Sequence, residues 1–434
     1  MKKLNAFLVS VLSAAALNAA VIEQVIVRQQ WPWSTDVKVE YKLSGVTGAS
    51  PVDIAVKAYN GDVELTLPDE AITGDRYGVF EDGVGTIVID PVKAFGTEKV
   101  ALANFKVKLT LSKSVGRKFM VLDLESDPSK VAVSYLDNIP EGGWTDGYKK
   151  GKLVLRRIDP GAFIMGSPLT EQGHCSAFDS YQTPEPTNLR VVFTNAYYIG
   201  VFETTKEQYA RIMNATLPAT SSAREPAGGI SRNMLTGVDC QYSWPTSTDV
   251  TDDSIIGTLR GKAETADLPE GYVFSLPSEA QWEYACRAGK TTAWNDGTNI
   301  STNEFGGDVH LDLLGLSGKF GLQETDQKYK GGFKTVGSFL PNDWGLYDCH
   351  GGVSELVMDR STWSDVALAP DNTTVYEYKG PSDGSCYMEV LRGGNLWDGT
   401  ITHCRSASRI RYGSTVGLSE FGFRLALIRE VKAQ

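Results

Sequence analysis

Residues Val390–Leu427, VLRGGNLWDGTITHCRSASRIRYGSTVGLSEFGFRLAL, decide how this chain is read. The segment opens on Gly393-Gly394 and closes on Phe421-Gly422-Phe423-Arg424, glycine-centred landmarks that predict close backbone approach at both ends of one folded loop. Between them stand Trp397, Asp398, His403, Cys404, Arg405 and Arg409. A loop whose ends are fixed by strands can bring side chains together without disturbing a core, so a site is expected here if the chain has one. Plain scaffold is the competing reading.

The limits of the chain narrow the context. Met1-Lys2-Lys3 is followed by an uncharged run from Leu4 to Ala20 that ends in small residues, the pattern of a secretory leader over residues 1–20. No later stretch reaches the roughly 18 apolar residues of a membrane span, so export without a transmembrane segment is expected: periplasmic, cell-surface or secreted. With 434 residues and 41% hydrophobic content, the chain is long enough for two or three domains with real cores. A formal charge of −11 gives no general attraction to phosphate backbones and argues against nucleic acid as a partner. The six cysteines form no CxxC pair, so neither a zinc ribbon nor a thioredoxin-type motif is expected.

Upstream of the decisive loop the pattern changes. Val37, Val39, Tyr41 and Leu43 alternate with polar residues, as do Val52, Ile54, Val56 and Ala58; after Asn60-Gly61 so do Val63, Leu65 and Leu67. Asn-Gly between alternating runs predicts a hairpin, because both turn positions need positive φ. Further strands are expected at Ile87–Ile89, Phe105–Leu111, Phe119–Leu124 and Val131–Leu136. Short strands at this spacing predict an antiparallel β-sandwich over residues 21–136. With no His and no Cys, it reads as a spacer or interaction module. Residues 137–152, rich in turn formers and charge, read as a linker.

From Leu153 to residue 430 a second domain is expected. LVLRRIDPGAFIMGS reads as two strands about a Pro160-Gly161 turn, and Tyr197–Val201 as a third. Thr204 with Glu207, and Ser278 with Gln281, form capping boxes that open two short amphipathic helices, the second ending at Gly289. The rest is glycine-rich and irregular. Overall the expectation is an α+β chain, an antiparallel sandwich followed by a domain with little regular secondary structure.

The ordered series GAFIMGS, YYIGVFETTKEQYARIM, LPSEAQWEYACRAG, VGSFLPNDWGLYDCHGGVSELVMD, VLRGGN and FGFRLA resembles the formylglycine-generating enzyme or sulfatase-modifying factor family, over about Leu153 to Ile428. The resemblance implies a variant of the C-type-lectin-like fold. It also implies copper-dependent oxidation of a sulfatase cysteine, with the metal held by two cysteines just after an LRGGS motif. Here that motif ends in Asn395, and the two cysteine positions fall at about Asp398 and near His403. Cu(I) wants soft thiolates, which Asp and His do not supply, so copper is not expected.

The resemblance further implies a structural disulfide between Cys286 and Cys404. It implies a Ca²⁺ site through the side chain of Asp348, the carbonyls of Gly351 and Val353, and the carboxylate of Glu355, hard oxygen donors of the kind calcium prefers. A turn cap at Asp348 and an arginine pair at Glu355 are the competing roles. A new metal site from His350, Asp398 and His403 matches no ligand spacing. A Ser-His-Asp hydrolase lacks its GxSxG elbow.

Arg392, Arg405, Arg409, Arg411 and Arg424 are expected mainly to pair with buried carboxylates such as Glu279 or Glu283. The remaining reading is an anionic ligand, with Trp397 and Tyr412 as platforms for sugar or peptide. Two functions are therefore carried forward. One is a non-catalytic binding or display module that takes a protein, peptide or glycan on Asn395, Trp397, Asp398, His403, Arg405 and Tyr412. The alternative is an oxidoreductase making formylglycine or oxidising another thiol.

Overall fold

The structure, a computed structural model, describes residues 7–8, 20–47, 51–67, 71–79, 81–101, 103–114, 118–177, 182–217, 222–238, 243–301, 308–315, 332–361, 373–380, 388–396, 400–413 and 417–432. The expected leader lies outside these residues apart from the short strand Phe7–Leu8 and residue 20. The chain divides into two compact units, Met1–Lys118 with Asp159–Ala162, and Phe119–Ile158 with Phe163–Gln434.

In the first unit, period-two alternation does what it predicts. Val37, Val39, Tyr41 and Leu43 are buried along strand Val37–Ser44, while Lys38 and Lys42 face out. That strand pairs antiparallel with Val21–Gln29 on one side and Gly83–Ile89 on the other, within a five-stranded sheet. Val52–Asn60 pairs with Val63–Leu65 across the Asn60-Gly61 turn and with Phe105–Lys113, making a three-stranded sheet. Gly61 has φ +63°, as the turn requires. Val39 and Ile87 from one sheet and Ile54 and Leu109 from the other belong to one apolar cluster. Each such side chain removed from water is worth about 1.5–3 kcal/mol.

Two strands expected in that first domain are elsewhere. Phe119–Asp123 and Ala132–Leu136 join a six-stranded antiparallel sheet in the second unit, where Phe119–Asp123 pairs with Lys152–Ile158. The boundary therefore falls after Lys118, not at residue 136. Phe119, Met120, Val121 and Leu122 are all buried, the continuous apolar run of a strand covered on both faces and not the alternation of a sandwich edge. Nor do residues 137–152 form a bare linker. Trp144 is buried, edge-on to Phe119 at 5.1 Å and to Tyr148 at 5.1 Å, and Lys152 is already in a strand.

Both expected helices form. The first spans Lys206–Ile212 and is capped by Thr205 with Gln208, one residue later than Thr204 and Glu207 predict. The second, Glu279–Arg287, has the Ser278–Gln281 capping box as read, and Ala288 ends it in the left-handed conformation, φ +46°. The chain is mixed α+β, mostly strands with few helices. Among the described residues no helix is long and apolar enough to cross a membrane.

Candidate functional site

The loop that opened the sequence reading is anchored on one strand. Ser354–Ser361 pairs antiparallel with Met388–Arg392, setting Glu355 opposite Arg392, and parallel with Phe421–Phe423, setting Glu355 opposite Gly422. Both ends of the loop are therefore registered on the same residue. Gly393 and Gly394 have φ of +88° and +70°, a region costly for side-chain-bearing residues. A Cβ on Gly394 would lie 2.6 Å from the Cys404 Sγ, and one on Gly422 2.5 Å from the Val353 Cγ2. The landmarks mark close approach at both ends, as the sequence implies.

The arginines hold this frame. Arg409 donates to Glu279 (Nη2–Oε2 2.7 Å) and to the Pro184 carbonyl at 2.8 Å. Arg392 pairs with Glu283 and donates to the Ala407 carbonyl at 2.8 Å. Arg405, buried and expected at the ligand loop, is clamped by Glu171 at 2.6 Å and Glu185 at 2.6 Å, and by the Gly173 carbonyl. Burial pushes the Glu185 carboxyl up, but the Arg405 guanidinium outweighs this and holds it below its ordinary range. Arg405 is thus removed from the expected ligand set: its donors are spent on carboxylates that burial would otherwise leave unpaired.

The other expected ligand residues divide. Asn395 is buried and donates to Ser354 Oγ at 2.9 Å, a contact inside the frame. Tyr412 is half-buried with its ring edge-on to Phe421 at 4.9 Å. His403 is half-buried in a 3₁₀ turn, Ile401–Cys404. Trp397 and Asp398 lie outside the described residues. His350 is buried; its Nδ1 is 2.7 Å from the Cys404 carbonyl, and Nε2 accepts from the Asn295 N–H at 3.2 Å. Burial lowers its pKa to about 4. A neutral imidazole with both nitrogens engaged is a bracket between loops and has no lone pair left for a metal.

The implied Cys286–Cys404 disulfide is not formed; both residues are buried free thiols, as are Cys175 and Cys349. The Cys286 thiol instead donates to Ser406 Oγ at 3.7 Å, and Cys349 is hydrogen-bonded to Cys286, which with burial pushes the Cys349 thiol well up. Cys404 is turned toward Gly394, within a cluster that holds Trp294 and Ile401. Cys240 and Cys386 lie outside the described residues.

The two carboxylates implied for calcium, Asp348 and Glu355, lie beside a third that the sequence did not reveal, Glu203. Asp348 has φ +55° and accepts the Gly337 N–H. Glu355 receives Arg424 Nη2 at 2.8 Å and the Trp282 indole N–H at 2.7 Å, so the arginine pair foreseen for it exists. Glu203 accepts the Val353 N–H at 2.8 Å. Burial and the facing Asp348 and Glu355 charges push the Glu203 carboxyl well above its ordinary range, and burial raises Asp348 to about 6. Glu203 sits in VFETT, where the turn into a helix masks its role. Among the described residues no cluster of three or more His, Cys, Asp or Glu is arranged as a metal cage.

Known proteins fit this picture. Residues 152–429 match the family model for the sulfatase-modifying factor enzyme 1-like domain. The chain is 31% identical over 157 residues to the formylglycine-generating enzyme of Mus musculus, 35% of this chain and 38% of that protein. It is 31% identical over 156 residues to the enzyme of the same name from Streptomyces coelicolor, 35% of this chain and 46% of that protein. The matched segment therefore spans less than half of either relative. Among solved structures, Treponema denticola variable protein 1 aligns at 20% identity and TM-score 0.44, covering 63% of this chain and 95% of that one. PvdO from Pseudomonas aeruginosa aligns at 22% and 0.41, covering 63% and 94%. With its arginine-braced loop and a family match covering most of its length, this chain belongs to the sulfatase-modifying factor enzyme 1-like family, the one formylglycine-generating enzymes belong to.

Proposed function

We propose that the chain is an exported binding or display protein in which a lectin-like sulfatase-modifying domain follows a β-sandwich spacer, and that the domain holds a ligand without copper chemistry. One observation carries the reading. The thiol of the decisive loop, Cys404, is packed inward against Gly394, and the half-buried residue beside it is His403. A two-thiolate Cu(I) site needs two converging sulfurs, and these residues do not fit one. The ligand, a protein, peptide or glycan, is taken by the loop between Gly394 and Phe421. The braced frame supports this reading because a rigid scaffold tolerates change in what it displays.

Calcium is part of the same proposal. Asp348, the Gly351 and Val353 carbonyls, and Glu355 shared with Arg424 would hold the ion, whose role would be to brace the loop. The crowding of buried carboxylate supports it: Asp348 and Glu355 both face Glu203, with Arg424 and Lys149 among the cations acting on them. Hard oxygen donors of that kind suit Ca²⁺.

The test is copper loading of the purified chain followed by incubation with a cysteine-containing sulfatase peptide. No retained copper and no aldehyde, together with a hit on glycan or peptide arrays, is the expected result. The second reading, a formylglycine-generating or other thiol oxidoreductase, is favoured by the family itself, and copper-dependent conversion would establish it.

A further inference from the structure

Among the described residues the two sheets of the first unit end in four strand edges, and an open edge is a ready template for another strand. Three of them are blunted. Ile72–Gly74 and Val63–Leu65 run for three residues each, and Phe105–Lys113 carries exposed Lys106 and Lys108. The fourth edge is that of Val21–Gln29, nine residues long, and there the chain covers itself: Phe7 stands opposite Val27 and Leu8 opposite Ile26.

Phe7–Leu8 belongs to the expected leader. The inference rests on one part of the reading above, loss of residues 1–20 on export, and is independent of what the loop binds. Cleavage leaves Val21–Gln29 as an open edge whose centre, Gln24-Val25-Ile26-Val27, has neither charge nor proline to guard it. The two charged residues of the strand are engaged within their own sheet, Glu23 with Lys42 at 2.7 Å and Arg28 with Glu40 at 3.0 Å. Its bulge lies toward the N-terminal end, between Ile22 and Gln24.

The strand is matched to itself. Val25 and Val27 are buried on the core face, and Ile26 is half-buried on the other face, opposite Glu40 of the next strand. In an antiparallel pair, directly opposite residues share a face. A twofold axis through Ile26 therefore sets Val25 opposite Val27 and Ile26 opposite its own copy, apolar residues taking the places of Phe7 and Leu8. The same register puts Gln24 opposite Arg28 and Glu23 opposite Gln29, so no like charges meet. It also runs exposed Val21 toward the turn of the other copy that carries exposed Trp33. We propose that the chain without residues 1–20 forms a symmetric dimer in which the Val21–Gln29 edges of two copies pair antiparallel about Ile26 and join their sheets.

The test is analytical sedimentation of two chains, the full sequence and one beginning at Val21. The shortened chain should dimerise with a micromolar or tighter dissociation constant while the full chain stays monomeric. Mass spectrometry of the exported protein reads separately whether the leader is lost, so failure of the export reading and failure of the dimer are distinguishable. Ile26→Lys in the shortened chain sets like charges opposite each other across the axis and should weaken the dimer at least about tenfold, while Glu40 accommodates the new charge within each copy. Mixing Ile26→Lys with Ile26→Glu should restore association, which a folding defect would not do. A shortened chain that stays monomeric throughout the micromolar range, a dimer equally strong in the full chain, or one that Ile26→Lys leaves unchanged overturns the proposal.

Discussion

The α-carbon of Gly394 faces Cys404 so closely that an added methyl group would meet its sulfur at 2.6 Å and its backbone nitrogen at 3.0 Å. The contact decides why the loop turns on glycine and why the neighbouring thiol is sealed.

Gly394→Ala should therefore cost at least about 2 kcal/mol, since it combines a positive φ with overpacking. Adding Cys404→Ala should recover only part of this, because the backbone contact remains. Urea denaturation of the single and double variants measures both.

The sulfur chemistry gives a second expectation. A peptide map of non-reduced, alkylated protein should recover Cys404 as a free thiol accessible only after unfolding. If oxidation joins any described pair first, it should be Cys286 with Cys349, the two thiols in contact. A Cys286–Cys404 linked peptide would show the family pairing after all.

Asp359 sets a pH dependence. Burial, then the facing Glu279, raise its carboxyl to about 7 against the pull of Arg409 and Arg232. A carboxyl raised on folding adds no penalty below the unfolded value of about 3.9; the penalty grows as pH rises and is complete above the folded value. Its other oxygen has no hydrogen-bond partner. Asp359→Asn, which keeps an acceptor for the Glu279 N–H, should be stabilising at pH 8 by up to a few kcal/mol and neutral near pH 4. Denaturation midpoints across that range check the sign.

Removing Arg405 should be among the most damaging single changes. Arg405→Ala leaves Glu171 and Glu185 buried without their cation, a cost of about 3–5 kcal/mol. Arg405→Lys should recover little, because one ammonium cannot reach two carboxylates and the Gly173 carbonyl in the same planar fork. Thermal melts of the two variants measure it.

For the proposed calcium, the melting temperature should rise with added Ca²⁺ and fall with a chelator in the intact protein. Asp348→Ala should abolish the shift, since a ligand stabilises only as far as it prefers the folded state.

Much of this was legible in the residues themselves. Alternation at Val37–Leu43, the Asn60-Gly61 turn and the Ser278–Gln281 cap are local signals, and each predicts its element. Phe119–Asp123 was misplaced because a strand buried on both faces carries no period to say which sheet it joins. The loop arginines were read rightly as struts, with Glu279 and Glu283 as partners. Glu171, Glu185 and Glu203 were not foreseen, because partners that meet only through tertiary contact leave no spacing in the chain.

The double registration of Glu355 reaches further than one site. Because Arg392 and Gly422 pair with the same residue from opposite sides, the span between them is a closed excursion whose two feet are nailed to one plank. Lengthening such an excursion costs only about 0.6 kcal/mol per doubling and moves neither foot. The span also carries the strand Ile410–Gly413, paired with Met388–Leu391 of the same sheet, and the buried struts Arg405 and Arg409. An insertion should leave the sheet intact only where it falls between these anchors, so tolerance to lengthening is partitioned along the span.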